Sequence, residues 1–425
     1  MAISPARVAA YEILLRVERD RAYSSALLPR YESELGERDA ALCHQLVLGV
    51  LRRKLYLDKR IREHAGAKKV DLEVLTALRI GSYQLLELDR IPDHSAVNDS
   101  VGLVQRAKKT SAKGFVNAIL RRIATGSAPV DISDGLDGLA IDLSHPKWLL
   151  ERWIRQFGHE HAVAIAEANN HPSRIAFRQT ARELGPEDLD GTPSDIVDGA
   201  YTIDRLSSRL RELAEAGKIY FQDEASQMVA GLVSIQEGGR FLDVCASPGG
   251  KTSLIALRNR TASVVAGDLY HARIEFLREN CIRQGISPVQ VAQYDAAISL
   301  PFAEGSFDAV LVDAPCSGTG TIGSNPEIRY FLRPEDIKEL SRKQLAILLN
   351  ASKLVKSGGR LYYSTCSLER EENEDVVTAF LAESQGFLVG SDRVDGRFRT
   401  SEGFCRTFPD RDGTDGFFFA ELVRS

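Results

Sequence analysis

Arg240-Phe-Leu-Asp-Val-Cys-Ala-Ser-Pro-Gly-Gly-Lys-Thr252 is the stretch that predicts the fold of the second half of the chain. A short apolar run of β-prone residues is followed by a turn with two glycines that leads into a helix. Glycines at a strand-to-helix turn let a ligand approach the backbone closely and expose the N–H groups of the helix terminus. The stretch therefore predicts the first strand, turn and helix of a nucleotide-cofactor domain.

Beyond this stretch, strand-like runs alternate with segments of helical length. The runs are Ser263-Val-Val-Ala-Gly267, Val289-Gln-Val-Ala292, Ala309-Val-Leu-Val312 and Gly359-Arg-Leu-Tyr-Tyr363, with a last one in Gly416-Phe-Phe-Phe-Ala-Glu-Leu-Val423. Such alternation is typical of a mostly parallel, doubly wound sheet. We therefore predict a Rossmann-like α/β domain over residues 221–425.

The turn after the first strand distinguishes between nucleotide cofactors. A phosphate-binding Gly-x-x-x-x-Gly-Lys-Thr loop would need glycine where Cys245 stands, and the Gly-x-Gly-x-x-Gly pattern of dinucleotide sites is absent. Carboxylates follow three successive strands, at Asp243, Asp268 and Asp295. Each one alone reads as a strand-end cap, but three in order suit the cationic sulfonium of S-adenosylmethionine (SAM). Asp268 has the spacing of a Rossmann carboxylate that binds ribose hydroxyls.

Two further loops place a cysteine just past the end of a strand-like run. They read Asp313-Ala-Pro-Cys-Ser-Gly-Thr-Gly320 and Ser364-Thr-Cys-Ser367. In an open α/β sheet ligands bind at the carboxyl ends of strands. We therefore expect the thiols of Cys316 and Cys366 to converge on one crevice.

A thiol in the Asp313 loop favours methylation of carbon. Most SAM-dependent methyltransferases that act on an exocyclic nitrogen have an aromatic residue at this place, whereas here Cys316 stands there. C5 of a pyrimidine becomes nucleophilic when a thiolate adds to C6. Asp313 suits the hydrogen bond to N3 that this step requires. Spacing alone leaves open which of the two cysteines attacks.

The motifs of residues 221–425, which also include Phe221-Gln-Asp-Glu-Ala-Ser-Gln227, resemble those of RNA 5-methylcytosine methyltransferases of the NOL1/NOP2/Sun family. The resemblance implies that Cys366 is the nucleophile and that Cys316 assists product release. It also carries Lys251 over as a cofactor-site residue. With the strand-end carboxylates, the expected cofactor contacts are Cys245, Ala246, Ser247, Pro248, Gly249, Gly250, Lys251, Asp268, Arg273, Asp295 and Asp313.

Residues 6–125 have the apolar spacing of helices, and we predict a bundle of five to seven. The order Pro92-Asp-His-Ser-Ala-Val-Asn98, then a helix, then Gly114-Phe-Val-Asn-Ala-Ile-Leu-Arg121 resembles NusB-type RNA-binding domains. The resemblance implies that this region binds RNA. Asn98 and Asn117 are interpreted as buried residues that fix the helix pair.

Charge is distributed unevenly along the chain. Residues 1–130 carry 22 Lys and Arg against 15 Asp and Glu, a net charge of +7, and the remaining residues carry 32 against 44, a net charge of −12. Two basic clusters predict a phosphate-binding face if the fold joins them, and solvated helix faces are an equal alternative. The clusters are Arg52, Arg53, Lys54, Lys59, Arg60 and Arg62, and Arg106, Lys108, Lys109, Lys113, Arg121 and Arg122.

Residues 126–138 are rich in turn formers and acidic residues and read as a linker. The segment that follows mixes helices with short strand-like pieces, in which Arg174 and Arg178 alternate onto one face suited to RNA contact. We therefore predict three domains: 1–128, a NusB-like helical bundle; 140–220, a small α+β module; and 221–425, the methyltransferase domain.

Composition limits the remaining possibilities. Hydrophobic residues make up 44% and charged residues 27% of the 425 residues, and no apolar run approaches the ~20 residues of a membrane span. The six scattered cysteines show neither a disulfide framework nor metal-ligand spacing. We therefore expect free thiols, no metal, no membrane partner, a cytoplasmic location and a monomer.

The whole chain resembles bacterial 16S ribosomal RNA cytosine-5 methyltransferases of the RsmB/Fmu/Sun type. The same chemistry on transfer RNA, or a non-catalytic RNA-binding or antitermination factor, are the alternatives. One departure follows Gly320, where the family often has basic residues and this chain reads Thr-Ile-Gly-Ser-Asn-Pro-Glu-Ile-Arg329. Arg329 is then the nearest candidate for a phosphate contact. Glu371-Glu-Asn-Glu374 is interpreted as a helix-capping cluster.

Overall fold

The computed structural model describes residues 3–66, 69–126, 135–181, 184–185, 189–286, 289–390 and 393–425. The chain forms two compact units. The helical unit comprises Met1–Pro172 and Ile322–Leu332, and the sheet unit comprises Ser173–Thr321 and Arg333–Ser425. The three predicted domain boundaries stay a prediction, and most of the predicted linker, residues 127–134, lies outside the described residues.

The helical unit begins with ten helices along its described residues. They are α1 (Pro5–Asp20), α2 (Ser24–Glu32), α3 (Glu37–Arg52), α4 (Lys54–Ala65), α5 (Leu72–Glu87), α6 (Asp93–Arg106), α7 (Lys113–Ala124), α8 (Leu136–Asp142), α9 (Lys147–Phe157) and α10 (His159–Ala168). Leucine and isoleucine side chains at helical spacing, such as Ile13, Leu46 and Leu78, are fully buried between the helices. The predicted helical bundle is confirmed, with α1 to α7 in the region predicted to hold five to seven helices.

The sheet unit contains a small sheet and a large one. Its elements up to the Cys316 loop are β1 (Ile175–Gln179), β2 (Thr192–Pro193), β3 (Ala200–Ile203), α11 (Ser208–Glu215), β4 (Ile219–Phe221), α12 (Glu224–Leu232), β5 (Arg240–Asp243), α13 (Gly250–Arg258), β6 (Ser263–Asp268), α14 (His271–Arg283), β7 (Val289–Gln293) and β8 (Phe307–Asp313). The chain then contributes α15 (Ile328–Phe331) to the helical unit. It continues in the sheet unit with α16 (Pro334–Ser352), β9 (Val355–Thr365), α17 (Glu374–Glu383), β10 (Phe387–Gly390), β11 (Cys405–Arg406), α18 (Pro409–Asp412) and β12 (Phe418–Arg424).

The large sheet has the strand order β10-β12-β9-β8-β5-β6-β7, and β11 pairs with β12. The strands from β5 to β9 pair in parallel, whereas β12 runs antiparallel to both β9 and β10. The predicted doubly wound, mostly parallel sheet is therefore confirmed. The order reverses between β5 and β8, and the crevice at the carboxyl ends of such strands is where open α/β sheets bind ligands.

The small antiparallel sheet has the order β2-β3-β1-β4 and contains Arg178. The Arg178 side chain is buried and donates hydrogen bonds to Gln222 Oε1 at 3.0 Å, Ser253 Oγ at 2.7 Å and Gln284 Oε1 at 3.0 Å. The prediction that Arg178 contacts RNA is wrong, because its guanidinium is used inside the unit, next to the start of α13. Arg174 is exposed.

The two asparagines that the sequence analysis interpreted as buried, Asn98 and Asn117, are not fully buried in the structure. Asn98 is exposed, because Ala96, Val97 and Ser100 occupy the core face of α6. Asn117 is half-buried and accepts a hydrogen bond from Arg121 at 3.3 Å. The prediction that Asn98 is buried is therefore wrong.

The first basic cluster does not form a single exposed face. Arg52 is buried and donates to Gly323 O at 2.8 Å, and Arg60 is buried in an ion pair with Glu63. Lys54 pairs with Glu18 at 2.5 Å. In the second cluster, by contrast, Arg106, Lys108, Arg121 and Arg122 are exposed.

Arg329 is buried within the helical unit. Its side chain has 0% exposure. The guanidinium donates to Ser144 O at 3.1 Å, Asn169 O at 3.2 Å and Asn170 Oδ1 at 2.9 Å. The prediction of a phosphate contact by Arg329 is wrong, because the charge of this arginine is solvated by carbonyl groups of its own unit.

Among the described residues, no helix has the length and apolar character that crossing a membrane requires.

We expect Arg329→Ala to destabilise the helical unit strongly. Removing the guanidinium leaves several buried acceptors without a donor, which costs ~2–4 kcal/mol of unfolding free energy. Chemical unfolding followed by circular dichroism measures this loss. Arg62→Ala, at an exposed arginine of α4, is the control and should change stability by less than ~0.5 kcal/mol. Equal effects of the two substitutions would contradict the structural role of Arg329.

Candidate active site

Carboxylates line the carboxyl edge of the parallel strands. Asp243, Asp268 and Asp313 are the last residues of β5, β6 and β8, and Asp295 follows the end of β7 by two residues. Because these strands are parallel, their carboxyl ends lie at one edge of the sheet. The prediction that Asp243, Asp268 and Asp295 stand at the ends of three successive strands is therefore confirmed.

The turn from Cys245 to Gly249 joins β5 to α13 along this edge. Ala246 N donates to Gly267 O at 2.9 Å, which ties the turn to β6, and Pro248 O accepts from Asn280 Nδ2 at 2.8 Å. Gly249 has φ +99°, a left-handed conformation that glycine adopts without strain. Gly250 then begins the helix. Ser247 lies between Ala246 and Pro248, which are both anchored by hydrogen bonds. The turn therefore lies at the edge of the sheet where the strand-end carboxylates stand.

Asp243 is buried with one oxygen unpaired. Its Oδ2 accepts a hydrogen bond from Thr252 Oγ1 at 2.6 Å, whereas Oδ1 has no hydrogen-bond partner among the described residues. Burial raises the pKa of Asp243 to about 7, an effect that the Thr252 hydrogen bond only partly offsets. The phenol oxygen of Tyr294 is likewise buried without a partner among these residues. A cationic ligand with amino and hydroxyl donors would satisfy such orphaned acceptors, so the residues fit SAM.

The remaining predicted cofactor residues lie at the next two strand ends. Asp268 is buried and accepts from Tyr270 N at 3.4 Å, and exposed Arg273 lies 3.8 Å from its carboxylate. Asp295 accepts from Ala297 N at 3.0 Å. Burial raises the pKa of the Cys245 thiol, as expected for an unreactive cysteine.

The two loop cysteines meet. Cys316 Sγ and Cys366 Sγ are 3.2 Å apart, and neither residue is fully buried. The loops are joined by a backbone hydrogen bond from Gly320 N to Cys366 O at 2.9 Å. The predicted convergence of the two thiols on one crevice is confirmed. Cys43, Cys281 and Cys405 are buried.

Asp313 connects the start of α13 to the end of β9, which leads into the Cys366 loop. Its Oδ2 accepts from Lys251 Nζ at 2.7 Å and its Oδ1 from Ser364 Oγ at 2.7 Å. Burial opposes the charge of Lys251, but Asp313 and the nearby Cys366 outweigh burial and raise the pKa of Lys251. Lys251 therefore keeps its positive charge at the edge of the sheet where the carboxylates stand. The sequence reasoning treated Lys251 as a cofactor residue and did not find its pairing with Asp313.

The environment of Cys316 disfavours its thiolate. The hydrogen bond to Cys366, burial, and the negative charge of Glu372 together raise the pKa of Cys316. Glu372 belongs to the cluster interpreted as a helix cap, yet it has 0% exposure and bonds to both cysteine loops. The sequence reasoning missed the role of this residue, because its contacts with both cysteine loops form only in the folded protein and no local sequence motif indicates them.

Among the described residues no group of three or more His, Cys, Asp or Glu side chains is arranged to hold a metal ion.

Comparison with known proteins finds a matching family model for each of three parts of the chain. Residues 230–423 match the family described as 16S rRNA methyltransferase RsmB/F, residues 4–125 the NusB family, and residues 145–189 the ferredoxin-like domain of RsmF/B-like methyltransferases. The chain is 31% identical over 434 residues to the probable ribosomal RNA small subunit methyltransferase B of Bacillus subtilis, with 97% of each chain covered. It is 32% identical to the ribosomal RNA small subunit methyltransferase B of Pseudomonas putida, with 98% of each covered.

The chain belongs to the ribosomal RNA small subunit methyltransferase B family. The family assignment confirms the resemblance seen in the motifs and makes SAM the methyl donor.

Solved structures agree with the family assignment. The crystal structure of PH0851 has a TM-score of 0.85 and 26% identity, with 99% of each chain covered. A methyltransferase homolog from Pyrococcus horikoshii has a TM-score of 0.59 and 27% identity, with 68% of this chain and 98% of that chain covered. The similarity to the PH0851 structure covers both units of this chain.

We expect SAM binding to strengthen as pH rises through about 7. The pKa of Asp243 is raised to about 7, so the carboxylate that favours a cationic ligand is protonated below this pH. Affinity should therefore fall by up to about tenfold per pH unit on going from pH 7 to pH 5.5. Isothermal titration calorimetry with SAM measures this dependence without RNA.

Asp243→Asn should bind SAM more weakly and with little pH dependence. Asp308→Asn removes a carboxylate at the opposite end of β8, paired with Lys356 at 2.8 Å, and should leave the pH dependence intact. A pH profile of Asp243→Asn that matches the wild type would show that another group titrates.

Proposed function

We propose that this chain methylates C5 of a cytosine in 16S ribosomal RNA, with Cys366 as nucleophile, Cys316 as the group that assists product release and Asp313 as the hydrogen-bonding partner of N3. The observation that carries the proposal is the 3.2 Å contact between the two thiols at the strand edge that holds Asp313. Two thiols in contact beside a methyl-donor site match the needs of carbon methylation, in which one sulfur adds and is later expelled.

The first step forms a bond between Cys366 Sγ and C6 of the base. The electrons of the C5–C6 double bond shift toward C5, and the charge that develops on the ring is stabilised by a hydrogen bond at N3. Stabilising this charge requires a proton donor at N3, so Asp313 acts in this step with its carboxyl group protonated, and Lys251 and Ser364 hold that group in place. Lys251 also places a positive charge near the Cys366 thiol.

Bound SAM supplies the electrophilic methyl group. Once C5 carries the methyl group, its proton is lost to a base, the C5–C6 double bond re-forms and the C6–S bond breaks. The Cys366 thiolate is thereby regenerated. Cys316 lies beside the leaving sulfur, which is the position required to assist this step.

Cofactor contacts are proposed from the turn and the strand ends. The proposed residues are Cys245, Ala246, Ser247, Pro248, Gly249, Gly250, Lys251, Asp268, Arg273, Asp295 and Asp313. Their support is the position of the turn and of the carboxylates along one edge of the sheet.

The RNA partner is proposed from the family and from charge. Relatives named for the small-subunit ribosomal RNA cover nearly the whole chain, and residues 4–125 match the NusB family. The exposed arginines and lysine of the second basic cluster can bind phosphate groups. We also propose that the chain has the three domains predicted from its sequence, that it is a monomer and that it is located in the cytoplasm.

We expect Cys316→Ala to trap RNA covalently. Without the assisting thiol, the bond between Cys366 and C6 persists, and a protein–RNA band should survive a denaturing gel. Cys366→Ala and the double variant should show neither the band nor methyl transfer. A trapped band with Cys366→Ala instead of Cys316→Ala would exchange the two roles.

We expect bisulfite sequencing to find one or more 5-methylcytosines in 16S ribosomal RNA that disappear when the gene is deleted and return with the wild-type protein. Complementation with Cys366→Ala is the control and should not restore the signal. Loss of methylation in transfer RNA alone would support the alternative substrate, and unchanged methylation in both RNAs would overturn the proposal.

A further inference from the structure

The Glu372 carboxylate bridges the two loops that carry the reactive thiols. Ser317 directly follows Cys316, and Ser367 directly follows Cys366. Glu372 Oε1 accepts from Ser317 N at 2.9 Å, and Oε2 accepts from the hydroxyls of both Ser317 and Ser367. One carboxylate therefore holds the residue next to each cysteine.

Glu372 is itself fixed from two further elements. Gln344 of α16 donates through Nε2 to Glu372 Oε1 at 2.9 Å and to Pro315 O at 3.0 Å. Tyr363 of β9 donates through its hydroxyl to Glu372 O at 2.5 Å. Because the carboxylate is fully buried, its donors cannot be replaced by water without opening the loops.

We propose that Glu372 is a positioning residue that holds the Cys316 thiol against Cys366 in the geometry required for product release. The inference deepens the function proposed above and rests on the roles assigned there to the two thiols. Glu372 acts through Ser317 and Ser367 and reaches neither cysteine sulfur by a hydrogen bond.

The buried charge of Glu372 provides a second effect that can be measured. Cys316 faces Cys366, Glu372 and Tyr363, and it is Glu372 that contributes a carboxylate charge. That charge acts with the Cys366 hydrogen bond and with burial to raise the pKa of Cys316. Replacing Glu372 by glutamine keeps the shape of the side chain and removes the charge, so the pKa of Cys316 should fall.

The first experiment follows the covalent intermediate. Glu372→Gln should accumulate the protein–RNA band on denaturing gels as Cys316→Ala does, with multiple turnover slowed on the order of tenfold to a hundredfold. Methyl transfer in the first turnover should be retained. A purely structural defect would instead lower SAM binding and first-turnover transfer together.

The second experiment needs neither RNA nor SAM. In a Cys366→Ser background, the rate of Cys316 alkylation by iodoacetamide is measured against pH, with site-resolved mass spectrometry. Adding Glu372→Gln should move this profile to lower pH. Glu383→Gln is the matched control, since Glu383 is exposed on α17 and its replacement should leave gel, turnover and alkylation profile unchanged.

Each outcome decides the proposal. A folded Glu372→Gln protein with wild-type turnover, no trapped RNA and an unshifted alkylation profile would overturn it. If Glu372→Gln does not fold, the milder Ser317→Ala/Ser367→Ala protein takes its place, and release at the wild-type rate would then overturn the proposal. If the alkylation profile shifts but Cys316→Ala traps no RNA, the release role fails while the electrostatic link between Glu372 and Cys316 stands.

Discussion

The site depends on the parallel pairing of β8 with β9, in which Asp313 lies opposite Ser364. Neighbouring strands are ~4.8 Å apart, and parallel strands release their chains at the same edge. Cys316 and Cys366 follow these two positions by three and two residues, so their loops start side by side. The hydrogen bond from Ser364 to Asp313 and the one from Gly320 to Cys366 then hold the loops together.

The two thiols at this edge have neighbours of opposite charge. Lys251 lies near Cys366, and the Glu372 carboxylate lies near Cys316. The Glu372 charge acts with burial and the Cys366 hydrogen bond to raise the pKa of Cys316, because a nearby anion disfavours a thiolate. The carboxylates also have different partners. Asp313 pairs with an ammonium group, and Glu372 accepts from hydroxyl, amide and backbone donors. One oxygen of Asp243 has no hydrogen-bond partner within the described part of the chain.

The helical unit is not a contiguous piece of sequence. Residues 322–332, which follow the Cys316 loop and lie within the region that matches the methyltransferase family, fold with Met1–Pro172. Arg329 occupies its interior, and the half-buried Tyr330 donates to Leu51 O at 2.9 Å. A chain cut near residue 220 would therefore leave the helical unit without a buried part of its core. The departure from the basic pattern after Gly320 thus has a structural explanation.

The sequence alone determined the doubly wound sheet, the helical bundle, the glycine turn between β5 and α13 and the meeting of the Cys316 and Cys366 thiols. These features depend on periodicity, on turn residues and on the rule that parallel strands end at one edge, all of which are local or topological. Tertiary structure alone decided the fate of side chains such as Arg178, Arg329 and Glu372. A charged side chain in a polar stretch reads as exposed, and only the folded chain shows whether carbonyl, hydroxyl and amide groups from distant residues solvate it in place of water.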